Sequence, residues 1–215
     1  MHVIFALAFL FLKTGEKFAT QETAGPTVST FTTYLGEKAG TNFVPEVMNN
    51  PVKAAEFVAA NKPAVGIVTP GFYVTYGKAL GMEPVLETKR EKVTEERYVL
   101  VAKKDAGDDF HERIIATTLA LEERYVIGVI LHDKYGRDVR LRSIADVEGA
   151  VFEMVEGAKG AADAVLMESA QWTLFKDDPE LGPKLRVVLE TEPLPRSLVV
   201  IFRESAGKVD VDKLK

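Results

Sequence analysis

The sequence predicts an α/β fold built as two lobes, each with a mixed, mostly parallel sheet flanked by helices. Apolar strand-like runs alternate with amphipathic helical stretches along the 215 residues, an order that favours sheets covered by helices on both faces. A stiff Glu192-Pro193-Leu194-Pro195 segment precedes a strongly strand-like run, Leu198–Phe202, which we expect to return to the first lobe. The length also suits two domains of roughly 100 residues each.

The first lobe is predicted from a regular strand-helix alternation. Its strands are expected at residues 3–12, 43–48, 64–68 and 84–88. The proline at position 45 cannot donate to a ladder, so the second strand is predicted at a sheet edge. Asn50 as N-cap and Pro51 at the first helical position predict a helix over 52–60.

An earlier helix is predicted to begin near Pro26 and to end at Gly36 or Gly40. Its buried face is expected to carry an apolar set with helical spacing: Val28, Phe31 and Leu35. Three hydroxyl residues crowd its first turn and are expected to cap it or to donate to a ligand: Thr27, Ser29 and Thr30.

The strongest binding signal in this lobe is the junction after the third strand. Thr69 is predicted to cap a helix over 71–80, Pro70 suits its first position, and Gly71 allows a ligand to approach the backbone. A strand that ends at bare helix amides is a common place for an α/β protein to hold an anion or a polar molecule.

The second lobe is predicted to follow a charged turn at 89–97. Its strands are expected at residues 98–102, 114–118, 162–167 and 185–189, and helical structure is expected over 121–132. Ser143 is predicted to cap a helix that buries Ile144, Val147, Val151 and Val155. Ser169 is predicted to cap a further helix that contains Trp172 and Phe175.

Composition excludes several classes of function. The net charge is -5 and no basic run occurs, so nucleic acid is not expected as a partner. Without cysteine there is no thiol nucleophile, thiolate metal site or disulfide, and His2, His111 and His132 lack metal-ligand spacing. The motifs GxSxG, P-loop and G-x-G-x-x-G are also absent, so we expect no catalytic residue, metal or cofactor.

The apolar run Val3–Leu12 is the one segment that resembles a targeting signal. It is too short to span a bilayer and lacks both a basic leading region and a small-x-small cleavage site. We interpret it as a buried first strand, with a signal-peptide remnant as the alternative.

Three stretches resemble the substrate-binding proteins of phosphonate and phosphate ABC transporters, which have the type 2 periplasmic-binding-protein fold. The first runs from Lys62 to Tyr73 and continues as Gly81-Met82-Glu83-Pro84. The second is the run from Gly160 to Ser169, G-A-A-D-A-V-L-M-E-S. The third is L-R-V-V-L-E-T-E-P-L-P, which runs from Leu185 to Pro195.

The resemblance implies two periplasmic-binding-protein-like lobes that close on a small polar or anionic solute without chemistry. Lobe 1 would comprise 1–96 and 194–215, and lobe 2 would comprise 97–193, with hinges near 95–98 and 190–196. The ligand-binding residues carried over by position are Thr69, Gly71, Tyr73, Thr117, Thr118, Glu168 and Ser169. The resemblance also implies a periplasmic or extracytoplasmic location and an ABC permease as partner, and we expect a monomer.

The sequence departs from the family at the strand end that carries Thr117 and Thr118. The family has a glycine-rich phosphate-cradling loop there, whereas this chain reads A-T-T-L-A-L. Glu168 would repel a phosphate dianion but would pair with an amine, which favours a zwitterion such as an aminophosphonate or amino acid. An exposed Glu168 would instead be a surface acid, and Tyr73 is equally compatible with a core position.

Two alternatives to transport remain open at this stage. One is a soluble ligand-sensing or interaction protein that keeps the lobes but has lost transport. The other is an enzyme of the same two-lobe architecture, since a fold does not determine function.

Overall fold

The computed structural model describes residues 6–89, 96–135 and 138–214, which form two α/β units. The first unit comprises Met1–Arg90 and Pro195–Lys215, and the second comprises Glu91–Leu194. Parts of three predicted features lie outside the described residues: the start of the first strand, most of the charged turn and the first residue of the hinge near 95–98. Movement about the hinges stays a prediction.

Within the described residues, each unit contains five strands. In chain order the strands are Ala6–Leu12 (β1), Asn42–Met48 (β2), Val65–Val68 (β3), Met82–Glu87 (β4), Tyr98–Lys103 (β5), Ile114–Thr117 (β6), Arg140–Ser143 (β7), Ala164–Glu168 (β8), Leu185–Glu190 (β9) and Leu198–Phe202 (β10). The strand Arg140–Ser143 was not predicted, because a four-residue run with two arginines has no apolar alternation.

In the part of the chain that the structure describes, six α-helical segments connect these strands. They are Gly25–Ala39 (α1), Pro51–Asn61 (α2), Pro70–Tyr76 (α3), Glu123–Tyr125 (α4), Val147–Glu156 (α5) and Ser169–Lys176 (α6). A 3₁₀ turn precedes α4 and a π-helical turn, Val126–Ile130, follows it, so the predicted helix over 121–132 is a chain of three short segments. Further 3₁₀ turns are Gly182–Lys184, Arg203–Lys208 and Val211–Leu214.

The sheet of the first unit has the strand order β2-β1-β3-β10-β4. β1 is parallel to both β2 and β3, whereas β10 is antiparallel to both β3 and β4. Two predictions are confirmed by this order. The proline-containing β2 is an edge strand, and β10 returns to the sheet of the first unit.

The sheet of the second unit repeats this arrangement in the order β7-β6-β8-β5-β9. β6 is parallel to β7 and β8, and β5 is antiparallel to β8 and β9. In both units the register shifts between the antiparallel strand and the edge strand beside it, at Val199/Val200 between β10 and β4 and at Leu100/Val101 between β5 and β9. The two sheets are therefore mixed and share one topology, in which β3 corresponds to β8 and β1 to β6.

The inner strands of the first unit, such as β1 and β3, are largely buried on both faces, as the apolar β1 predicts. Leu10 and Leu12 pack on one face, in a cluster with Val58 of α2 and Phe72 of α3. Phe9 lies on the other face, in a cluster that α1 and the C-terminal turns cover. This alternation follows from the two-residue side-chain period of a strand.

The second unit has the same layered arrangement. The segment from Leu119 to Leu131 covers one face of its sheet, and α5 and α6 cover the other. The predicted apolar stripe of α5 is confirmed for Val147, Val151 and Val155, which are buried, while Ile144 lies before the helix. Ser143 does not cap α5, because it ends β7 and Asp146 occupies the N-cap position.

The first turn of α1 also differs from the prediction. Its N-cap is Ala24, and no side chain caps the helix. The hydroxyls of Thr30 and Thr33 instead donate to the carbonyls of Pro26 and Ser29, one helical turn back. The end of the helix at Gly40 is as predicted, since this glycine has a positive φ of 68°.

Candidate functional site

Thr69, Gly71 and Tyr73 lie at the junction of β3 and α3. Thr69 has extended backbone angles and is the N-cap, as predicted, because its Oγ1 accepts a hydrogen bond from the Phe72 amide at 3.3 Å. The Tyr73 amide donates to the Thr69 carbonyl at 3.1 Å. Since Pro70 has no amide hydrogen, Gly71 supplies the remaining amide of the first turn.

The helix that follows is shorter than predicted. It ends at Tyr76 rather than near residue 80, so it spans seven residues. Tyr73 is half-buried and its ring packs against the core cluster of this face. The ring therefore contributes to packing and remains partly accessible, so its role in ligand binding stays a prediction.

Thr117 and Thr118 lie at the carboxyl end of β6. Thr117 is buried, and its Oγ1 accepts a hydrogen bond from the Leu119 amide at 3.2 Å. Thr118 is half-buried and precedes a 3₁₀ turn rather than an α-helix. The glycine-free loop thus forms a turn held by a threonine hydroxyl. It lacks the helix start that a phosphate-cradling loop uses.

Glu168 and Ser169 lie at the carboxyl end of β8, where α6 begins. The prediction that Ser169 caps this helix is wrong: Glu168 is the N-cap, with φ -65° and ψ 144°. Its carboxylate accepts from the Gln171 amide, and the Gln171 Oε1 accepts from the Glu168 amide at 3.2 Å. The Ser169 amide donates to the Arg97 carbonyl at 2.8 Å.

The structure brings the two pairs of the second unit to one sheet edge. β6 and β8 are adjacent and parallel, and Thr117 is in register with Leu166, which is two residues before Glu168. Hydroxyls and a carboxylate therefore lie at neighbouring strand ends, the position where open α/β sheets bind ligands. Thr69 occupies in the first unit the position that Glu168 occupies in the second, since each is the N-cap after an equivalent strand.

A buried group of tyrosines and glutamates near Glu168 was missed by sequence reasoning. Burial raises the pKa of the Tyr98 phenol well above its usual value, and the charges of Glu96, Glu168 and Glu122 raise it further. Tyr98 is paired with Glu168 across β5 and β8. Burial, together with Glu96 and Glu122, likewise raises the pKa of Tyr125. Glu96, Glu122 and Glu168 therefore lie near the same buried tyrosine.

The signal that could have revealed this group is an acid within an apolar helical run. Glu122 is 2% exposed and is followed within a few residues by the buried Tyr125 and Val126. A buried acid in such a run is unusual and marks a polar contact in the interior. Glu96 and Tyr98, the other members of the group, lie far away in sequence, so only the fold identifies them.

No group of three or more His, Cys, Asp or Glu side chains in residues 6–89, 96–135 and 138–214 is arranged to hold a metal ion. Over the same residues, no helix combines the length and the apolar character needed to cross a membrane.

Two α/β units with polar groups at their strand ends are typical of proteins that bind small ligands. The sequence profile of the ABC transporter, phosphonate, periplasmic substrate-binding protein family matches residues 18–215. The chain therefore belongs to this family. A search of curated proteins finds no match to the chain.

Solved structures share the fold at low sequence identity. XAC2383 from Xanthomonas citri, bound to ATP, has a TM-score of 0.65 and 13% identity, over 97% of this chain and 80% of that one. A binding protein component of an ABC phosphonate transporter from Pseudomonas aeruginosa has a TM-score of 0.58 and 11% identity, over 97% and 72%. The ATP phosphoribosyl transferase (HisG:HisZ) complex from Thermotoga maritima has a TM-score of 0.55 and 14% identity, over 97% and 96%.

Proposed function

We propose that this chain is a non-catalytic, extracytoplasmic solute-binding protein that captures a small anionic or zwitterionic, phosphonate-like or phosphate-like solute for an ABC permease. The observation that carries the proposal is the family match over residues 18–215. Members of such a family need an exposed ligand site built from strand ends and helix starts, and this chain has polar groups at those positions in each unit.

The proposed ligand contacts come from both units. Thr69, Gly71 and Tyr73 are the proposed ligand contacts of the first unit, and those of the second unit are Thr117, Thr118, Glu168 and Ser169. The Gly71 amide and the threonine hydroxyls are donors for an oxyanion.

A positive group on the solute is favoured by the surroundings of Glu168. This carboxylate is half-buried at the end of β8, and Glu96 and Glu122 are near enough to act on the same tyrosine, Tyr98. The Glu168 carboxylate opposes a multiply charged anion and attracts an ammonium group. A zwitterion such as 2-aminoethylphosphonate therefore fits better than inorganic phosphate.

The test is a thermal-shift and calorimetric screen of the full chain. The probes are phosphate, sulfate, methylphosphonate, 2-aminoethylphosphonate and the common amino acids. A true ligand at one hundred times its Kd stabilises the folded state by about 2.7 kcal/mol, which for a chain of this size raises Tm by roughly 5–10 °C. Failure of every anion and zwitterion to bind would refute the proposal.

A matched pair of threonine variants then tests the site. Thr118→Val removes a hydroxyl at the end of β6 and should weaken ligand binding roughly tenfold, the loss expected for a hydrogen bond to a charged group. Thr173→Val removes an exposed hydroxyl of α6 that donates to the Ser169 carbonyl, and it should leave affinity unchanged. Phosphorus NMR of the bound phosphonate should show an unaltered compound, since conversion would indicate an enzyme.

A further inference from the structure

A solvent-open surface cavity of about 550 Å³ lies on the first unit, between the sheet and the first two turns of α1. Its apolar walls are Phe11 of β1, Ile67 of β3, and Val28 and Phe31 of α1, while Thr23 and Thr27 line the remaining side. The volume is in the range of small-molecule pockets, about 300–1,000 Å³.

The cavity exists because α1 covers this end of the sheet with small residues. Its N-cap is Ala24 and its first turn contains Gly25 and Pro26, so no long side chain fills the space above Phe11. Phe31 contacts Phe9 edge-on, with ring centroids 6.3 Å apart, but it remains 43% exposed. An aromatic ring that was predicted to be buried thus forms an accessible wall.

The side chains that line the cavity are uncharged and mostly apolar. No charged side chain contributes to it, and its two polar groups are threonine hydroxyls. The Thr23 hydroxyl donates to the Phe18 carbonyl, so it is engaged within the loop before α1. The cavity therefore offers hydrocarbon contacts and excludes an anionic head group, whose desolvation no charge there would offset.

The position of the cavity connects it to the proposed ligand residues. Phe11 and Ile67 lie near the carboxyl ends of the parallel strands β1 and β3, and Ile67 is two residues before the helix cap Thr69. A solute held by its head group at this sheet edge can place a substituent in the cavity.

We propose that this cavity binds an alkyl or aryl group of the solute, so that the ligand of this chain is an organic anion or zwitterion with an apolar substituent. The inference rests on the proposed solute-binding function for the head group. The competing occupant is the chain itself, because Phe18 of the adjacent loop is 68% exposed.

The first experiment compares methylphosphonate with phenylphosphonate by calorimetry. Burial of the phenyl ring should tighten binding about tenfold or more. Thr27→Phe fills the cavity and should abolish this gain while leaving methylphosphonate binding within about twofold. Thr33→Phe makes the same change at an exposed position of α1 outside the cavity and should retain the gain. Equal binding of the two phosphonates, or a gain that survives Thr27→Phe, overturns the inference and leaves solute binding intact.

The second experiment separates the cavity from the head group. Benzyl alcohol is titrated into methyl-labelled protein, and the Val28 and Ile67 signals should shift while those of Val58, on the other face of the sheet, should not. If these signals shift but neither phosphonate binds, the apolar cavity is supported and the proposed binding of an anionic head group is refuted. No shift at Val28 and Ile67 overturns the inference, as does a shift that occurs only in Phe18→Ala, which would identify the loop as the occupant.

Discussion

Replacing Glu168 with glutamine separates its two roles, because the carboxylate caps α6 and is also the proposed partner of a ligand amine. The glutamine oxygen can still accept from the Gln171 amide, so the cap is weakened and not lost. We expect the free energy of unfolding to fall by less than about 1 kcal/mol, the usual value of an N-cap, and Tm to fall by roughly 2–4 °C at most. An amine-containing ligand, by contrast, loses a charge-assisted contact of about 1.5–3 kcal/mol, which weakens binding at least tenfold.

The matched control is Gln171→Ala. It removes the 3.2 Å bond from the Glu168 amide but leaves the Glu168 charge, so stability should fall to a similar extent while ligand affinity stays unchanged. Calorimetry at pH 7 with 2-aminoethylphosphonate and methylphosphonate measures both variants. If the two variants weaken 2-aminoethylphosphonate equally, Glu168 is only a helix cap. Methylphosphonate should bind Glu168→Gln as well as or better than it binds the natural chain, because a like charge has been removed.

Two further predictions concern stability. Gly66→Ala should lower the free energy of unfolding by about 1–3 kcal/mol, because the new Cβ would lie 3.1 Å from the Leu10 carbonyl oxygen and 3.1 Å from the Phe202 ring. Gly128→Ala should cause no such loss in urea unfolding, because among the described residues no atom outside the local helix backbone lies within 4 Å of the new Cβ. Tyr125→Phe should be neutral at pH 8 and stabilising at pH 11, since the buried Tyr125 hydroxyl has no hydrogen-bond partner among the described residues. Its pKa is raised in the folded state, so the unfolded chain alone releases the proton above about pH 10 and the natural chain loses stability there, by up to about 1.4 kcal/mol per pH unit. Identical pH profiles of the two proteins would contradict this.

Several features of the fold could be predicted because the signals that produce them are local. The cap of α2 is an example: the Asn50 Oδ1 accepts from the amides of Val52 and Lys53, as an asparagine before a helix-starting proline indicates. Pro45 likewise restricted β2 to an edge because it lacks a donor. In both cases the deciding groups lie within a few residues of each other.

The caps that were predicted wrongly show the limit of such signals. Ser169 is the better N-cap by residue type, yet Glu168 has the extended angles that the position requires, and Ser169 is already helical. The strand β8 extends one residue further than predicted because Glu168 pairs with Tyr98 of β5. Pairing with a strand about seventy residues away thus decided which residue became the cap.

The candidate site likewise combines features that the sequence predicts with features that only the fold decides. The sequence placed Thr69, Gly71 and Tyr73 at one strand end and Glu168 and Ser169 at another, and the family resemblance named their roles, which stay a proposal. The sequence did not indicate that Glu96, Glu122 and Tyr125 lie around Tyr98, since these residues belong to separate elements. Their proximity depends on how the segment from Leu119 to Leu131 packs on its sheet.

By itself, then, the sequence determined the α/β class, the order of strands and helices, and the return of Leu198–Phe202 to the first sheet, because hydrophobic period and turn chemistry act over short distances. Only the tertiary structure decided which side of α1 borders the cavity. Val28 and Phe31 have the spacing of a buried pair, but the helix lies over Phe11 and Ile67 with only small residues between, so Phe31 borders a cavity. Packing between two elements depends on the shapes of both surfaces, and the sequence of one helix describes only its own surface.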